Sequence, residues 1–330
     1  MKTKRPTLRD VARAADVSYQ TVSRVINNNM HVSSDTRSRV LKAIDDLGFR
    51  PNRAAQIMQT QRSHTFEVVM PYTGLNRVLY DMARATNQLG YHFVIAAITP
   101  DKFAETLESG ASRFVDGFIL VPFPEIDDYD ELIELTGGIP FVQFGARVGA
   151  NMPSVSCDQA KGARMATQHL IDLGHRHIAE ISGPMHIYDG ADRHESWLQT
   201  LKDNSLTPGL SIEGNFNIEG GMNAMYQLLD SGTEFSAVFV GNDSMAFGAL
   251  SALRNRGVRV PEEISIVGFD NIIESAHFVP SLTTVNQDMA MMGRLAVEYL
   301  HKLISSPDTQ IYQQVLIPKL IVRDSTCPPR

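Results

Sequence analysis

Cysteine, long apolar runs and internal repeats are scarce or absent in this chain of 330 residues, and each absence excludes a class of protein. Cys157 and Cys327 are too few and too far apart for a disulfide framework, which fits a reducing compartment. No stretch approaches the roughly 20 apolar residues that span a bilayer. The basic N-terminus is not followed by the apolar run of a secretory signal. We therefore expect a cytoplasmic protein with no membrane partner.

The chain also lacks the patterns on which an enzyme would depend. It contains no G-x-G-x-x-G, no Walker phosphate-binding loop and no G-x-S-x-G. His175 and His177 lie in a helix-to-strand turn, with His169 six residues before His175. No further residue stands at a spacing that would complete a metal site with them, so no metal site is predicted. An enzyme on a doubly wound fold remains an alternative without named residues, and no cofactor is expected.

Positive charge is scarce overall but concentrated at one end of the chain. The formal net charge is −7, yet residues 1–62 hold 12 Lys and Arg against 5 acids, a balance of +7. The remaining residues carry −14. Because Lys and Arg supply the sequence-independent part of binding to phosphates, this asymmetry indicates a nucleic-acid-binding head on an acidic body. The length likewise favours two or three structural units over one core.

Within the basic segment, residues 18–27 have the pattern of a short helix with two different faces. Ser18 is a suitable N-cap, and Val22, Val25 and Ile26 share an apolar side. The opposite side carries side chains that can bond to bases or phosphates, namely Tyr19, Gln20, Ser23, Arg24 and Asn27. Taken alone, the stretch favours an ordinary amphipathic surface helix over DNA contact.

The neighbouring segments favour DNA contact over that alternative. Thr7 can cap a first helix, and Asp16 and Val17 make a turn of the length found in helix-turn-helix units. A third helix is predicted from Ser33 or Ser34 to a stop at Gly48. The apolar residues expected to form the small core of the head are Leu8, Val11, Ala12, Ala15, Val40, Ala43, Ile44 and Leu47.

Several of these runs resemble the head of the LacI/GalR family of bacterial transcriptional regulators. They are Leu8-Arg9-Asp10-Val11-Ala12, the run from Val17 to Val25, Val32-Ser33, Thr36-Arg37, Leu47-Gly48-Phe49 and Pro51-Asn52. The turn carries Asp16 where the family usually has Gly, and Asp is one of the few other residues that tolerates the left-handed conformation. The resemblance implies that Tyr19, Gln20 and Arg24 read bases. It also implies phosphate or neighbouring contacts by Thr7, Ser18, Thr21, Ser23, Asn27 and His31.

Residues 49–61 look like the hinge segment of the same family. Isolated helices of fewer than about 12 residues are marginal in water, so this segment should fold only when paired with its copy on DNA. The family inserts such a pair into the minor groove, where one apolar side chain unstacks a base step. Met58 takes the position of that wedge, with Ile57 as the alternative, and Asn52, Arg53 and Ala55 belong to the same contact segment. Interdomain packing is the other reading of Met58.

The body, residues 62–330, alternates apolar strands with helical patterns and therefore predicts parallel sheets covered on both faces. The predicted strands are Phe66–Met70, Phe93–Ala97, Gly117–Val121, Phe141–Phe144, Ile178–Ser182, Ala237–Val240 and Ser265–Phe269. The predicted fold is α/β, with a three-helix helix-turn-helix head of residues 1–48 and a two-lobed body like a periplasmic binding protein. The resemblance implies a first lobe of about 62–158 and 286–316 and a second of about 159–284 and 317–330.

Ligands of open α/β sheets lie beyond the carboxyl ends of the strands, and polar residues cluster at such points here. Arg193 with Asp270 and Asn242 suits adjacent hydroxyl groups, since a guanidinium and a carboxylate can bind them in pairs. Phe216 can cover the face of a sugar ring. All four match effector contacts of the family. Asp243 is expected to cap its helix, and Tyr72 and Arg147 are the candidates in the first lobe.

The combined prediction is a homodimeric DNA-binding regulator that represses a carbohydrate-utilisation operon under the control of a sugar-like effector bound between the lobes. Its partner on DNA is a pseudo-palindromic double-stranded operator. A regulator with a purine or phosphoprotein effector remains an alternative. A sugar-binding transport protein is a second alternative, which the basic head disfavours.

Overall fold

The computed structural model describes residues 6–26, 32–50, 62–71, 76–121 and 128–330. The chain divides into two compact units, Met1–Ser63 and His64–Arg330. Most of the predicted hinge lies outside the described residues. So do seven residues that were assigned to DNA or effector contact: Asn27, His31, Asn52, Arg53, Ala55, Met58 and Tyr72.

The smaller unit contains helices α1 (Leu8–Ala14), α2 (Tyr19–Ile26) and α3 (Ser34–Asp46). The α1 helix begins with a capping box, in which the Thr7 hydroxyl accepts the Asp10 N–H and the Asp10 carboxylate accepts the Thr7 N–H. Asp16 has a φ of 51°, so it does adopt the left-handed conformation expected at the turn between α1 and α2.

The core of the head is small and rich in valine, and one predicted member is wrong. Leu47 follows the last residue of α3 as its C-cap and is 38% exposed. Gly48, with a φ of 59°, turns the chain so that Phe49 becomes buried in its place. The fully buried members of this core are Val11, Ala12, Ala15, Val22, Val25, Val40, Ala43 and Phe49.

The larger unit contains two six-stranded sheets. The first consists of β1 (Thr65–Pro71), β2 (His92–Ile98), β3 (Gly117–Leu120), β4 (Phe141–Phe144), β5 (Ser154–Cys157) and β11 (Gln313–Leu316). Its order is β11-β5-β4-β3-β1-β2, and every pairing is parallel. Its helices are α4 (Asn76–Gln88), α5 (Phe103–Glu108), α6 (Tyr129–Leu135) and α11 (Met289–Ser305).

The second sheet is built the same way except at one edge. It consists of β6 (Ile178–Ser182), β7 (Ser211–Glu213), β8 (Ala237–Val240), β9 (Ser265–Asp270), β10 (Thr283–Asn286) and β12 (Lys319–Ile321). Its order is β12-β10-β9-β8-β6-β7, and only β12 runs antiparallel to its neighbour. Its helices are α7 (Gln159–Asp172), α8 (Tyr188–Asp203), α9 (Ile218–Asp230) and α10 (Asp243–Asn255).

The chain passes between the two halves of the larger unit at three points. These connections lie between β5 and α7, between β10 and α11, and between β11 and β12. Each half has its own apolar core, with Phe66, Met82 and Tyr299 in the first and Trp197, Phe239 and Phe269 in the second. Among the described residues, no helix is long and apolar enough to span a membrane.

The α/β fold class is confirmed, and all seven predicted strands occur with ends within one residue of the prediction. Five further strands escaped prediction: β5, β7, β10, β11 and β12. They contain three or four residues each and are rich in Ser, Thr, Gln and Lys, so they do not form apolar runs. Their strand conformation comes from neighbouring strands and from burial, a context that local sequence does not contain.

Helices α9 and α10 can approach closely because each has a glycine at the contact. A Cβ atom on Gly248 would overlap the carbonyl oxygen of Ile218, and one on Gly221 would overlap the backbone of Met245. A side-chain rotation cannot relieve an overlap with backbone, so an added methyl group must push the two helices apart. The sequence requirement at these positions is therefore set by packing between helices.

In Gly248→Ala the overlap with backbone atoms is expected to cost the larger unit about 2–3 kcal/mol of its free energy of unfolding, the upper part of the usual range for overpacking a close contact. This loss should exceed the gain of about 1 kcal/mol that alanine offers over glycine in a helix. The urea midpoint of the variant measures the change. Ser251→Ala, at a half-buried position of the same helix, is the control. An unchanged midpoint for Gly248→Ala would contradict the proposed contact.

Candidate functional site

One face of α2 is exposed and carries the side chains predicted to read bases. Tyr19 is 48% exposed, and Gln20 and Arg24 are also exposed, whereas Val22 and Val25 on the other face are buried. Tyr19 therefore does not pack into the core of the head. The exposed face presents a phenol, an amide and a guanidinium, which are all able to bond to base edges.

Three other predicted DNA contacts use their hydroxyl groups within the head. Ser18 Oγ accepts the backbone N–H of Thr21 at 3.1 Å and lies 2.8 Å from the Thr21 hydroxyl. The Thr7 hydroxyl donates to Asp10 at 2.7 Å. Ser23 is half-buried on α2. Ser18 and Thr7 thus fix the starts of α2 and α1, which orients the exposed face of α2.

The larger unit contains a cleft of about 860 Å³, lined by residues from both of its halves. The half with the first sheet supplies Arg77, Val78, Met289 and Ala290. The half with the second sheet supplies a cation, several acids and amides, and an aromatic ring, which include Asp189, Arg193, Phe216, Asn242, Asp270 and Asn271. The side chains predicted for the second lobe are therefore together in one cleft, at the carboxyl ends of β8 and β9.

Arg193 is the central cation of this cleft. It is 3% exposed, its Nε donates to Gln159 Oε1 at 2.9 Å, and its Nη1 donates to the Gly241 carbonyl at 2.5 Å. Its guanidinium carbon lies 3.8 Å from the centroid of the Phe269 ring. The side chain is held in one orientation by α7, by the end of β8 and by an aromatic face, a pre-organised arrangement that suits a bidentate donor.

Two carboxylates flank Arg193 without a direct hydrogen bond to it. Asp189 Oδ2 lies 3.6 Å from Nη2, and Asp270 Oδ1 lies 3.8 Å from Nη1. Burial raises the pKa of Asp270 to about 6, although Arg193 and a hydrogen bond from Gln287 lower it. Burial also raises the pKa of Asp189, again against the effect of Arg193. Both acids therefore face the cleft with acceptor capacity that the protein leaves available.

A chain of amide side chains joins Arg193 to Asp270. Gln159 accepts from Arg193 and donates through Nε2 to Gln287 Oε1 at 2.8 Å. Gln287 Nε2 donates to Asp270 Oδ1 at 2.6 Å. Gln159 begins α7 just after the first connection between the halves, and Gln287 lies in the second connection. The charged groups of the cleft are thus linked by hydrogen bonds to the start of α7 and to the second connection between the halves.

Phe216 and Asn242 line the cleft. The prediction that the neighbouring Asp243 caps its helix is wrong, because Asn242 is the N-cap of α10. Asn242 caps α10, since its Oδ1 accepts the Met245 N–H at 2.9 Å, and its Nδ2 donates to the Phe216 carbonyl at 3.0 Å. Asp243 is fully buried and accepts from Ser275, from Thr284 and from the Ile272 N–H. Burial and the charge of Asp270 raise the pKa of Asp243 to about 7.

Arg147 is not among the described residues that line this cleft. It follows β4 in the first half, and its Nη2 donates to Asp192 Oδ1 on α8 of the second half at 3.0 Å. Its guanidinium also lies 5.5 Å from the centroid of the Tyr188 ring. In this structure Arg147 therefore joins the two halves instead of facing the cleft.

Two residues that line the cleft, Asp189 and Gln287, and a third that bonds to Arg193, Gln159, were missed from the sequence. Asp189, Gln159 and Gln287 do not follow an apolar strand, which was the signal that located Asn242 and Asp270. Asp189 stands one helical turn before Arg193, a spacing that places both side chains on one face of a helix. Within the described ranges, no three His, Cys, Asp or Glu side chains are grouped so that they could hold a metal ion.

Comparison with known proteins accounts for both units. Residues 7–52 match the profile of the bacterial regulatory proteins of the lacI family, and residues 167–326 match that of a periplasmic binding protein-like domain. The transcriptional regulator CelR of Thermobifida fusca is 34% identical to this chain, over 98% of each. This chain belongs to the LacI family.

Solved structures of the family extend the match to nearly the whole chain. The lac repressor dimer bound to operator and the anti-inducer ONPF has a TM-score of 0.90 and 30% identity, covering 98% of this chain and 100% of that one. A complex of CelR with cellobiose has a TM-score of 0.72 and 33% identity, covering 97% and 100%. The helix-turn-helix head and the two-sheet body are therefore the arrangement expected of a member of the LacI family.

Proposed function

We propose that the protein is a dimeric repressor of a carbohydrate-utilisation operon and that a sugar bound in the cleft controls its affinity for operator DNA. Residues 1–48 form the DNA-binding head, 49–61 the hinge and 62–330 the effector-binding and dimerisation body, with the lobe limits expected from the sequence. The observation that carries the proposal is the combination, in one chain, of an exposed Tyr19, Gln20 and Arg24 face with a cleft built around Arg193.

The DNA-binding role is supported by the exposed face of α2 and by the positive charge of residues 1–62. The head buries few apolar residues, so it should be only marginally stable by itself. Asn27, His31, Asn52, Arg53, Ala55 and Met58 are proposed to contribute by resemblance to the family. Such a protein acts on DNA in the cytoplasm and needs no catalytic residue.

A sugar effector is supported by the chemistry of the cleft. A guanidinium, two carboxylates and the amide of Asn271 surround the space, and the Phe216 ring forms part of its wall. Hydroxyl groups can donate to the carboxylates and accept from the guanidinium, while an aromatic ring covers the apolar face of a pyranose. The complex of CelR with cellobiose shows that a relative binds a sugar.

Dimer formation is supported by an exposed apolar surface on the first half of the body. The edge strand β2 exposes Val94 and Ile95, and Tyr80 on α4 is 68% exposed. An exposed edge strand with apolar side chains is unfavourable in a monomer, because its free backbone groups and apolar surface promote association. A second copy of the chain would cover both and would place two heads on a symmetric operator.

The coupling between the two sites must be reciprocal, so a sugar that weakens operator binding is itself bound more weakly by the operator complex. A gel-shift titration of the full chain with operator DNA tests this, with neutral sugars, purines and no ligand as parallel samples. We expect a sugar to change the apparent Kd for operator by at least about fivefold, the lower end of usual allosteric coupling. If only a purine changes the affinity for operator, the effector is a purine and not a sugar. If the chain shows no sequence-specific binding to DNA, the proposed function as a regulator is excluded.

A further inference from the structure

The first turn of α8 carries an acid at a point where a helix ordinarily attracts negative charge. Helix α8 runs for 16 residues from Tyr188, and the preceding Ile187 makes no side-chain cap. Its first N–H groups therefore lack the capping oxygen that α10 and α11 receive from Asn242 and Asp288. An uncapped helix start favours a bound anion. Here Asp189 already supplies a negative charge in that turn.

The charged groups at the base of the cleft do not balance. Asp189 and Asp270 flank the one guanidinium of Arg193 at 3.6 Å and 3.8 Å, so the three side chains together carry one negative charge when both acids are ionised. Within the described residues, Asp189 accepts no hydrogen bond, and its side chain is 37% exposed, toward the cleft. A ligand in the cleft therefore meets an available carboxylate beside Arg193.

Few guanidinium N–H groups are left to bind an anionic ligand. Arg193 already donates through Nε and Nη1 to Gln159 and Gly241, which leaves Nη2 as the nitrogen without a protein acceptor at hydrogen-bond distance in the described chain. Arg323 on the wall donates through its two Nη atoms to the Leu282 carbonyl and to Asn271. Arg77 lines the cleft from the first half, and two further acids, Glu274 and Asp288, line it as well.

We infer that Asp189 makes the cleft selective for uncharged, hydroxyl-rich ligands and against the phosphorylated or carboxylated forms of the same sugars. A neutral sugar can donate hydroxyl groups to Asp189 and Asp270 and accept from Arg193 Nη2. A phosphate or carboxylate in the same place would lie against two acids with one available guanidinium nitrogen, and like charges in contact strongly disfavour binding. This inference rests on the proposed sugar effector, and it specifies that the effector is an uncharged sugar.

The experiment compares matched ligands on the full chain by isothermal calorimetry: ribose with ribose 5-phosphate, galactose with galacturonate, and cellobiose with cellobionate. For the pair whose neutral member binds, the acidic member should bind the wild type at least about 30-fold more weakly. In Asp189→Asn the difference should shrink by about tenfold or more, mainly through tighter binding of the acidic member. Tighter binding of an acidic member to the wild type would overturn the inference.

Asp192→Asn is the matched control. Asp192 lies on the same helix three residues after Asp189, but it pairs with Arg147 and does not line the cleft. The ratio between neutral and acidic ligands should be the same in this variant as in the wild type. An equal change in both variants would mean that the general charge of α8, and not the position of Asp189, sets the selectivity.

A second measurement needs no sugar and separates this inference from the proposed function. Inorganic phosphate, titrated in a thermal unfolding assay at constant ionic strength, should raise the Tm of Asp189→Asn and leave that of the wild type nearly unchanged, because only a folded state that binds the anion is stabilised. Equal shifts in the two proteins would overturn the inference. If no sugar binds but phosphate stabilises Asp189→Asn alone, the sugar effector fails and the role of Asp189 in excluding anions stands.

Discussion

Arg193→Lys is expected to lower the affinity for the sugar effector by at least about 100-fold, which corresponds to roughly 2.7 kcal/mol. A lysine keeps the charge but loses the fork through which Arg193 bonds Gln159 and Gly241 and, as proposed, the ligand at the same time. Its ammonium group also cannot stack on the Phe269 ring as a planar guanidinium does. Calorimetry with the sugar identified by the gel-shift screen measures the loss.

Operator binding by Arg193→Lys without sugar should persist, because no described residue of the head is involved in the cleft. The sugar should then fail to change operator affinity at concentrations that saturate the wild type. Arg164→Lys is the control, since Arg164 pairs with Asp203 at 2.7 Å on the exposed side of α7 and α8. Wild-type sugar affinity in Arg193→Lys would show that the guanidinium does not contact the effector.

The sequence locates Arg193 and Asp270 for different physical reasons. Asp270 ends an apolar strand, and the carboxyl ends of parallel strands meet at one edge of a sheet, so its position follows from a local pattern. Arg193 lies on a helix and carries no such signal. It was found through the resemblance to the LacI family and not from periodicity. Both residues line the cleft in the structure.

Gln159, Gln287 and Asp189 could not be found by the same reasoning. Gln159 and Gln287 are 128 residues apart and meet only because two connections between the halves lie side by side. A glutamine in sequence is most often a solvated surface residue, and its burial depends on the tertiary fold. Asp189 reads equally well as an ordinary acid in the first turn of a helix. Sequence patterns describe one element at a time, whereas these contacts join several.

The amide chain also suggests how occupancy of the cleft reaches the lobes. Gln159 and Gln287 bond each other and are held by Arg193 and Asp270. A ligand that moves either charged group must change the hydrogen bonds of Gln159, next to the first connection, and of Gln287, in the second. In the proposed dimer, two arrangements of the lobes that differ in ligand affinity would supply the two-state element that allosteric coupling requires.

Arg24→Ala is expected to reduce the affinity of the dimer for its operator by at least about 30-fold. One bidentate contact to a base contributes about 1–3 kcal/mol of discrimination, and a symmetric dimer loses two of them. Arg24 is exposed on α2, while the buried side of that helix is formed by Val22 and Val25. The free energy of unfolding of the head should therefore change by no more than about 0.5 kcal/mol.

The salt dependence of binding decides whether Arg24 reads a base or only neutralises a phosphate. Loss of a phosphate contact reduces the slope of log K against log salt by about one for each head and weakens all DNA sequences alike. Loss of a base contact leaves the slope nearly unchanged and removes the preference for operator over random DNA. For Arg24→Ala we expect an unchanged slope and a lost preference for operator. Arg13 is an exposed cation in the last turn of α1, and Arg13→Ala should do no more than reduce the slope and weaken binding to all DNA sequences alike. Equal operator affinity of Arg24→Ala and the wild type would exclude Arg24 from recognition, and the face of α2 would then have to read DNA through Tyr19 and Gln20 alone.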